Sequence, residues 1–113
     1  MSLLISVVVP MFRGGKCIRE ALASIVNQSY RNFEIVIVDN NASEETRGIA
    51  YEFLEKYPNI IRIVLEKEQG SPFAKNTGIR ESRGEFIAFP KKNRRGKWVD
   101  KRILSIRRII LEK

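Results

Sequence analysis

The chain has 113 residues, enough for one domain with a modest core and too few for two. Hydrophobic residues make up 43% of it, including six Phe, three Tyr and one Trp, which is typical of a folded globular protein and not of a disordered one. It contains no histidine and one cysteine, Cys17. An imidazole base, a zinc site with histidine ligands and an internal disulfide are therefore excluded within this chain.

The sequence lacks the features that direct a chain into or across a membrane. Its N-terminus carries no signal-peptide pattern, and its best apolar run, residues 3–9, is far shorter than the roughly 20 residues that cross a bilayer. We therefore expect a cytoplasmic protein in a reducing compartment, at most peripheral to a membrane.

The net charge of +8 lies entirely in the C-terminal segment. Residues 1–90 hold eleven basic and eleven acidic side chains, whereas residues 91–113 hold ten basic and two acidic ones. Because attraction to polyanions depends on where charges cluster, the two segments predict different partners.

Four short runs rich in Val, Ile and Phe predict β-strands. They are residues 3–10, 33–39, 60–65 and 85–89. The first two are almost continuously apolar, as expected of strands covered on both faces, and this favours a parallel sheet between layers of helices.

Three helices are predicted between these strands. Residues 16–28 and 43–57 carry apolar stripes at helical spacing, and Ser43 is a predicted N-cap. The third helix is expected to begin with Ser71 as its cap and to end by Gly84. The order β-α-β-α-β-α-β predicts an open, right-handed, Rossmann-like α/β sheet of three layers with mostly parallel strands.

The last 23 residues differ in character. Residues 91–97 predict a basic loop, and from Trp98 onward a basic amphipathic helix is indicated by apolar residues at helical spacing: Val99, Ile103, Ile106 and Ile110. Two interpretations stay open. The helix packs on the sheet with its polar side in water, or it binds an anionic membrane surface or nucleic acid.

Several polar or aromatic residues follow directly after predicted strands. Pro10 and Phe12 follow the first strand and Asp39 ends the second, and parallel α/β sheets bind ligands beyond the carboxyl ends of their strands. Asp39, Asn40 and Asn41 are also typical of a plain turn. If Asp39 binds a ligand, its carboxylate suits an imide or ribose hydroxyl donor. Neither G-x-G-x-x-G nor a Walker loop is present, which disfavours ordinary dinucleotide and P-loop sites.

Five segments between residues 4 and 89 occur in a specific order. They are a strand ending in Pro and an aromatic residue, the passage "SIVNQSYRNFEI", the turn "VDNN", the loop "GSPFAKNTG" and the strand "RGEFIAF". Together they resemble the N-terminal half of family 2 glycosyltransferases, the inverting GT-A enzymes that use nucleotide-diphosphate sugars. The resemblance implies an incomplete GT-A sheet in residues 1–90, with residues 91–113 as a separate basic segment.

The resemblance also implies four nucleotide-binding residues. Phe12 would stack on the base, Asp39 would accept a hydrogen bond from it, and Lys75 would lie near the base and diphosphate; Pro10 completes the set. The implied partner is a UDP-sugar or a similar donor, and the implied process is synthesis of a saccharide or cell-envelope polymer. Asn76 and Gly78 are expected to shape their loop and not to touch the ligand.

The sequence departs from the family after Phe89. There the family has a D-x-D motif that holds Mn²⁺ or Mg²⁺ between the phosphates, but this chain reads "PKKNR" at residues 90–94, and lysines repel a cation. It also lacks the half that carries the family's catalytic base. We therefore assign no metal ligand, no cofactor and no catalytic residue within this chain.

Three explanations of this departure stay open. The chain is a truncated or frameshifted enzyme that is inactive alone; it is a metal-independent variant, or a half-domain completed by a partner chain; or it is a non-catalytic module whose basic helix binds anionic membrane or nucleic acid. An unpaired strand at the missing half makes a homodimer an expectation as well.

Overall fold

The computed structural model describes residues 4–12, 18–27, 31–90 and, for the backbone alone, 105–108. Its elements in chain order are β1 (Ile5–Met11), α1 (Ile18–Val26), β2 (Phe33–Asp39), α2 (Glu44–Lys56), β3 (Ile61–Leu65), α3 (Ser71–Glu81), β4 (Phe86–Phe89) and β5 (Ser105–Arg108). Cys17 and the two ends of the predicted first helix fall outside these residues.

The strands form one sheet in the order β3-β2-β1-β4-β5. β1 pairs with β2 and β4, and β2 pairs with β3, all in parallel. The predicted α/β architecture with a mostly parallel sheet is confirmed. All seven residues of β2 are buried, which explains why its sequence is almost continuously apolar.

Helices cover both faces of the sheet. On one face, called here the α1/α2 face, two helices pack on alternate residues of β1 and β2, including Val7, Val9, Ile35 and Ile37. On the opposite α3 face, the intervening residues Val8, Val36 and Val38 pack with Ala74. The period of two along each strand thus assigns every side chain to one layer.

α2 begins where the sequence predicts. Ser43 is its N-cap, with extended backbone, and its Oγ accepts a hydrogen bond from the backbone N–H of Thr46 at 3.2 Å. Glu44 and Glu45 occupy the first turn and Lys56 the last, so the charges at both ends favour the helix dipole.

α3 begins differently from the prediction. Its N-cap is Gly70, not Ser71, and no side chain caps the helix. Gly70 has a φ of +131°, a backbone conformation that residues with a Cβ rarely adopt, so glycine provides the turn into the helix. Ser71 is the first helical residue, and Pro72 follows without losing a needed N–H donor.

The helix predicted for the C-terminal segment is wrong over Ser105–Arg108. These residues form β5, which pairs antiparallel with β4 in the register Phe86↔Arg108 to Phe89↔Ser105. β5 pairs with backbone groups along one edge of β4, and β-branched residues such as Ile106 suit a strand as well as a helix. The apolar stripe behind the membrane or nucleic-acid hypothesis needs helical backbone, which these four residues do not have. Residues 91–104 and 109–113 lie outside the described residues.

Within the described ranges, no helix combines the length and apolar character needed to cross a membrane.

Candidate functional site

The carboxyl ends of β1 and β2 bring three of the predicted site residues together. Met11 is paired with Asp39, and the backbone N–H of Asn40 donates to the Met11 carbonyl at 2.9 Å. Phe12 comes next in the chain and is 37% exposed, while Pro10 is half-buried inside β1. An exposed aromatic ring therefore follows β1 at the same edge of the sheet as a buried carboxylate.

Asp39 is 6% exposed and is held on both oxygens. Its Oδ1 accepts a hydrogen bond from the backbone N–H of Ala42 at 3.0 Å, and its Oδ2 accepts one from Arg47 Nε at 2.7 Å. The turn interpretation of this stretch is thus correct. It does not exclude ligand binding, because each carboxylate oxygen has two lone pairs and these contacts use one on each.

Arg47 is a functional candidate that sequence reasoning missed. Arg47 forms an ion pair with Asp39 through Nε, and its Nη2 donates to the carbonyl of Ala42 at 3.1 Å. The guanidinium therefore contacts both the first and the last residue of the turn. The hydrogen bond and charge of Asp39 raise the pKa of Arg47 further above its usual value. The available signal was an arginine four residues after the cap Ser43, placed one helical turn into α2.

Asn40 anchors the loop between β3 and α3. It is fully buried; its Nδ2 donates to the carbonyls of Glu66 and Glu68 at 2.8 and 2.7 Å, and its Oδ1 accepts from the Gly70 N–H at 3.1 Å. Asn41 adopts a left-handed backbone with a φ of +64°, which asparagine tolerates. The two asparagines therefore join the β2 turn to the loop that enters α3.

Glu66 ties the same loop to α3. Its carboxylate accepts hydrogen bonds from the Thr77 hydroxyl and from the backbone N–H of Glu68, and these bonds hold the pKa of Glu66 below its usual value. Arg80 donates to Thr77 at 3.1 Å and adds a nearby positive charge. Asn40 thus contacts the loop along its length, from Glu66 to Gly70, and Thr77 holds its first residue, Glu66, against α3.

An open cleft of about 390 Å³ lies between the start of α2 and the loop after β3. Leu65, 62% exposed, gives it an apolar surface. Its lining residues are Asn41, Arg47, Leu65, Glu66, Lys67 and Gln69. The cleft combines one aliphatic face with amides and cations, and it shares Arg47 with Asp39.

Lys75 and Asp39 lie at the same edge of the sheet but on opposite faces: Lys75 is on the α3 face and Asp39 on the α1/α2 face. It is exposed on α3, and its Nζ is 5.6 Å from the centre of the Phe89 ring at the carboxyl end of β4. Asp39 contacts α2 instead. All four parallel strands end at this edge, but the roles of Pro10, Phe12, Asp39 and Lys75 toward a ligand stay predictions.

Gly78 lies inside α3 and not in the loop. A Cβ at this position would come within 2.2 Å of Val8 Cγ1, so the glycine allows the helix to approach β1 closely. The expectation that Gly78 and Asn76 shape a loop is therefore wrong, because both lie within α3, where Asn76 is exposed.

The residues at the end of β4 do not fit a divalent metal ion. Over the described part of the chain, no three His, Cys, Asp or Glu side chains are grouped where they could hold one. The charged group at Phe89 is the ammonium of Lys75, which repels a cation, and the next residues in the sequence are Pro90 and two lysines. We therefore assign no chemistry to a metal in this chain.

Known proteins match this chain in sequence and in fold. Glycosyltransferase AglE of Haloferax volcanii is 33% identical over 87 residues, which cover 75% of this chain and 29% of AglE. Mannosyltransferase PcManGT from Pyrobaculum calidifontis, in complex with GDP-Man and Mn²⁺, superposes with a TM-score of 0.68 at 27% identity, covering 80% of this chain and 29% of that one. S. aureus TarS in complex with UDP-GlcNAc gives 0.64 at 28% identity, covering 77% and 26%.

These solved structures are glycosyltransferases of the GT-A fold, and the sheet described above shares that fold. The chain spans from 24% to 34% of the length of the curated relatives it matches. The model of the family described as glycosyl transferase family 2 matches residues 6–90. With three quarters of its length inside that match, the chain belongs to glycosyl transferase family 2.

Proposed function

We propose that the edge formed by the carboxyl ends of β1 and β2 binds the nucleotide of a nucleotide-diphosphate sugar. The observation that carries this proposal is the pairing of Met11 with Asp39, because it brings Phe12, the residue after β1, to the same edge of the sheet as the buried carboxylate. An aromatic ring can stack on a base while a neighbouring carboxylate accepts a hydrogen bond from the edge of that base.

The carboxylate favours particular bases. Uracil and guanine both carry a ring N–H beside a carbonyl, so they can donate to Asp39; the corresponding ring nitrogen of cytosine or adenine is an acceptor and is repelled. TarS and PcManGT were solved with UDP-GlcNAc and GDP-Man, whose bases are of the first kind. UDP-sugars and GDP-sugars are therefore the donor classes that we propose for this chain.

Lys75 serves the diphosphate in this proposal. Its ammonium is exposed above the Phe89 ring at the strand edge, so it can move to a phosphate oxygen at little cost in buried contacts. The sugar transfer in which such a donor takes part, with inversion at the anomeric carbon, needs a base that deprotonates the acceptor. We propose that this chain binds the donor but does not transfer the sugar by itself.

Calorimetry with UDP tests the proposed site. The wild type should bind UDP, and Asp39→Asn should weaken binding about tenfold, or about 1.4 kcal/mol, because one acceptor oxygen becomes a donor. Glu52→Gln is the matched control, since Glu52 also pairs with an arginine, at 2.8 Å, but lies outside the site. Absence of UDP binding by the wild type, or equal affinities for the wild type and Asp39→Asn, would overturn the proposal.

Two further measurements test the metal and the transfer. UDP affinity should be nearly the same in Mn²⁺ and in EDTA, and incubation with UDP-GlcNAc and GDP-Man should release no nucleotide. A large gain in affinity with Mn²⁺ would contradict the poor fit of a metal to this chain. Release of UDP or GDP would show that the chain can break the sugar–phosphate bond alone.

A further inference from the structure

One ion pair between described residues lies inside the proposed site, and its basic partner, Arg47, is not among the four predicted site residues. Arg47 Nε is 2.7 Å from Asp39 Oδ2, and Asp39 is almost fully buried while the Arg47 side chain is 38% exposed. The pair therefore has an inner acidic end and an outer basic end that borders the cleft.

We propose that Arg47 is a positioning residue that fixes the Asp39 carboxylate for selection of the base. This inference rests on the proposed nucleotide site and adds a residue that determines its specificity. Arg47 binds Oδ2 of Asp39 while the backbone N–H of Ala42 binds Oδ1, and the two contacts together leave the carboxylate one orientation. A second bond from Arg47 to the carbonyl of Ala42 holds the guanidinium itself in place.

A fixed carboxylate orientation matters because Asp39 can distinguish uracil from cytosine only while its lone pair points at the ring nitrogen of the base. A carboxylate lone pair aimed at the ring nitrogen favours uracil, whose nitrogen carries a hydrogen, and repels cytosine, whose nitrogen carries a lone pair. A carboxylate held on Oδ1 alone, by the Ala42 N–H, can rotate about that contact, turn Oδ2 away from cytosine and so lose the penalty against it. Preorganisation by Arg47 thus converts one acidic residue into a selective one.

Lysine cannot replace Arg47 fully in this role. The guanidinium is planar and uses two different nitrogens, Nε for Asp39 and Nη2 for Ala42. A lysine ammonium is a single charged group on a flexible side chain. It can keep the ion pair with Asp39, but it cannot reproduce the two hydrogen bonds that the planar guanidinium makes to Asp39 and Ala42. An intermediate phenotype for lysine is therefore a specific expectation of the positioning role.

The test is the ratio of affinities for UDP and CDP, measured by calorimetry on the full chain. Loss of a positive charge weakens the hold on both diphosphates equally, so the ratio isolates the contribution of the base. We expect Arg47→Ala to lower the UDP preference about tenfold, and Arg47→Lys to lower it by less. Arg19→Ala, which removes a similar ion pair with Glu52, should leave the ratio unchanged.

The outcomes separate this inference from the proposed function. If the wild type binds UDP with a preference over CDP and both Arg47 variants keep that preference, the positioning role is wrong and the nucleotide site stands. If the wild type binds neither nucleotide, the proposed function fails and this inference with it. Should Arg47→Ala not fold, the ratio for Arg47→Lys alone decides, and an unchanged ratio overturns the role.

Discussion

The two faces of the sheet are stabilised in different ways. Among the described residues, the core of the α1/α2 face contains fourteen buried apolar side chains, whereas that of the α3 face contains five. The first face gains its stability from the burial of large side chains such as Leu22 and Ile37, which are fully buried.

The α3 face relies on close backbone approach and on polar anchors. Gly78 lets α3 approach Val8 on β1, and a buried network joins Ser6 to Glu34 at 2.6 Å and to the Gly84 N–H at 2.8 Å. Asn40 and Glu66 anchor the loop that leads into α3. The α1/α2 face, the thick layer, thus contributes most of the buried apolar surface that stabilises the fold. The α3 face, the thin layer, holds the loops near the candidate site in place by specific polar contacts.

The largest expected effect comes from a cavity in the thick layer. Leu22→Ala should lower the free energy of unfolding by about 2–5 kcal/mol, because Leu22 is fully buried in α1 and its removal leaves a void. Urea unfolding followed by circular dichroism measures this loss. Leu65→Ala, at a largely exposed leucine, is the control and should change stability by less than about 0.5 kcal/mol. A loss below about 1 kcal/mol at Leu22 would contradict the assignment of the main core to this face.

A smaller effect is expected where the thin layer depends on close approach. Gly78→Ala should cost about 1–3 kcal/mol, because its Cβ would overlap Val8 Cγ1. Gly48→Ala is the matched control in α2: nothing lies within 4 Å of its Cβ, so the same change should stabilise the protein by about 0.5–1 kcal/mol.

A double mutant tests directly whether the cost of Gly78→Ala comes from its contact with Val8. Val8→Ala removes the two nearest atoms that the new Cβ would meet, Cγ1 and Cγ2 of Val8, so Gly78→Ala should cost less in a Val8→Ala background than in the wild type. Thermal unfolding of the four proteins measures the interaction energy. Equal costs in both backgrounds would mean that α3 is not held against β1 at this contact.

The smallest expected effect is a pH dependence in the loop of the thin layer. The bonds from Thr77 and Glu68 lower the pKa of Glu66 in the folded protein. Glu66 therefore stabilises the fold above its unfolded pKa, near 4.5, and this contribution is lost as the pH falls through the lower folded pKa. Glu66→Gln should be less stable than the wild type at pH 7, and the difference should shrink as the solution is acidified below pH 4.5.

Thermal unfolding between pH 7 and pH 3 measures this difference. Glu55→Gln, at an exposed glutamate on α2, serves as the control and should differ little from the wild type across the range. A gap between the wild type and Glu66→Gln that stays constant down to pH 3 would show that the carboxylate of Glu66 does not hold the loop.

The elements that the sequence predicts well are those determined by neighbours in the chain. β2 has the predicted bounds Phe33–Asp39, because its short length and its Val and Ile content favour a strand that is buried on both faces. Ser43 caps α2 as expected, since capping depends on residues within one turn. The family resemblance, carried by short ordered motifs, is confirmed by the match over residues 6–90.

Contacts between residues distant in sequence required the tertiary structure. Asn40 reaches carbonyls 26 and 28 residues away, and Ser105–Arg108 pairs with β4 although its apolar spacing suits a helix. The Asp39–Arg47 pair spans only eight residues, but it depends on the angle at which α2 leaves the turn. By itself the sequence determined the layers, the order of the first seven elements and the family, because periodicity and capping act locally. Which polar partner each site residue faces was decided by packing, because that choice depends on how separate elements meet in space.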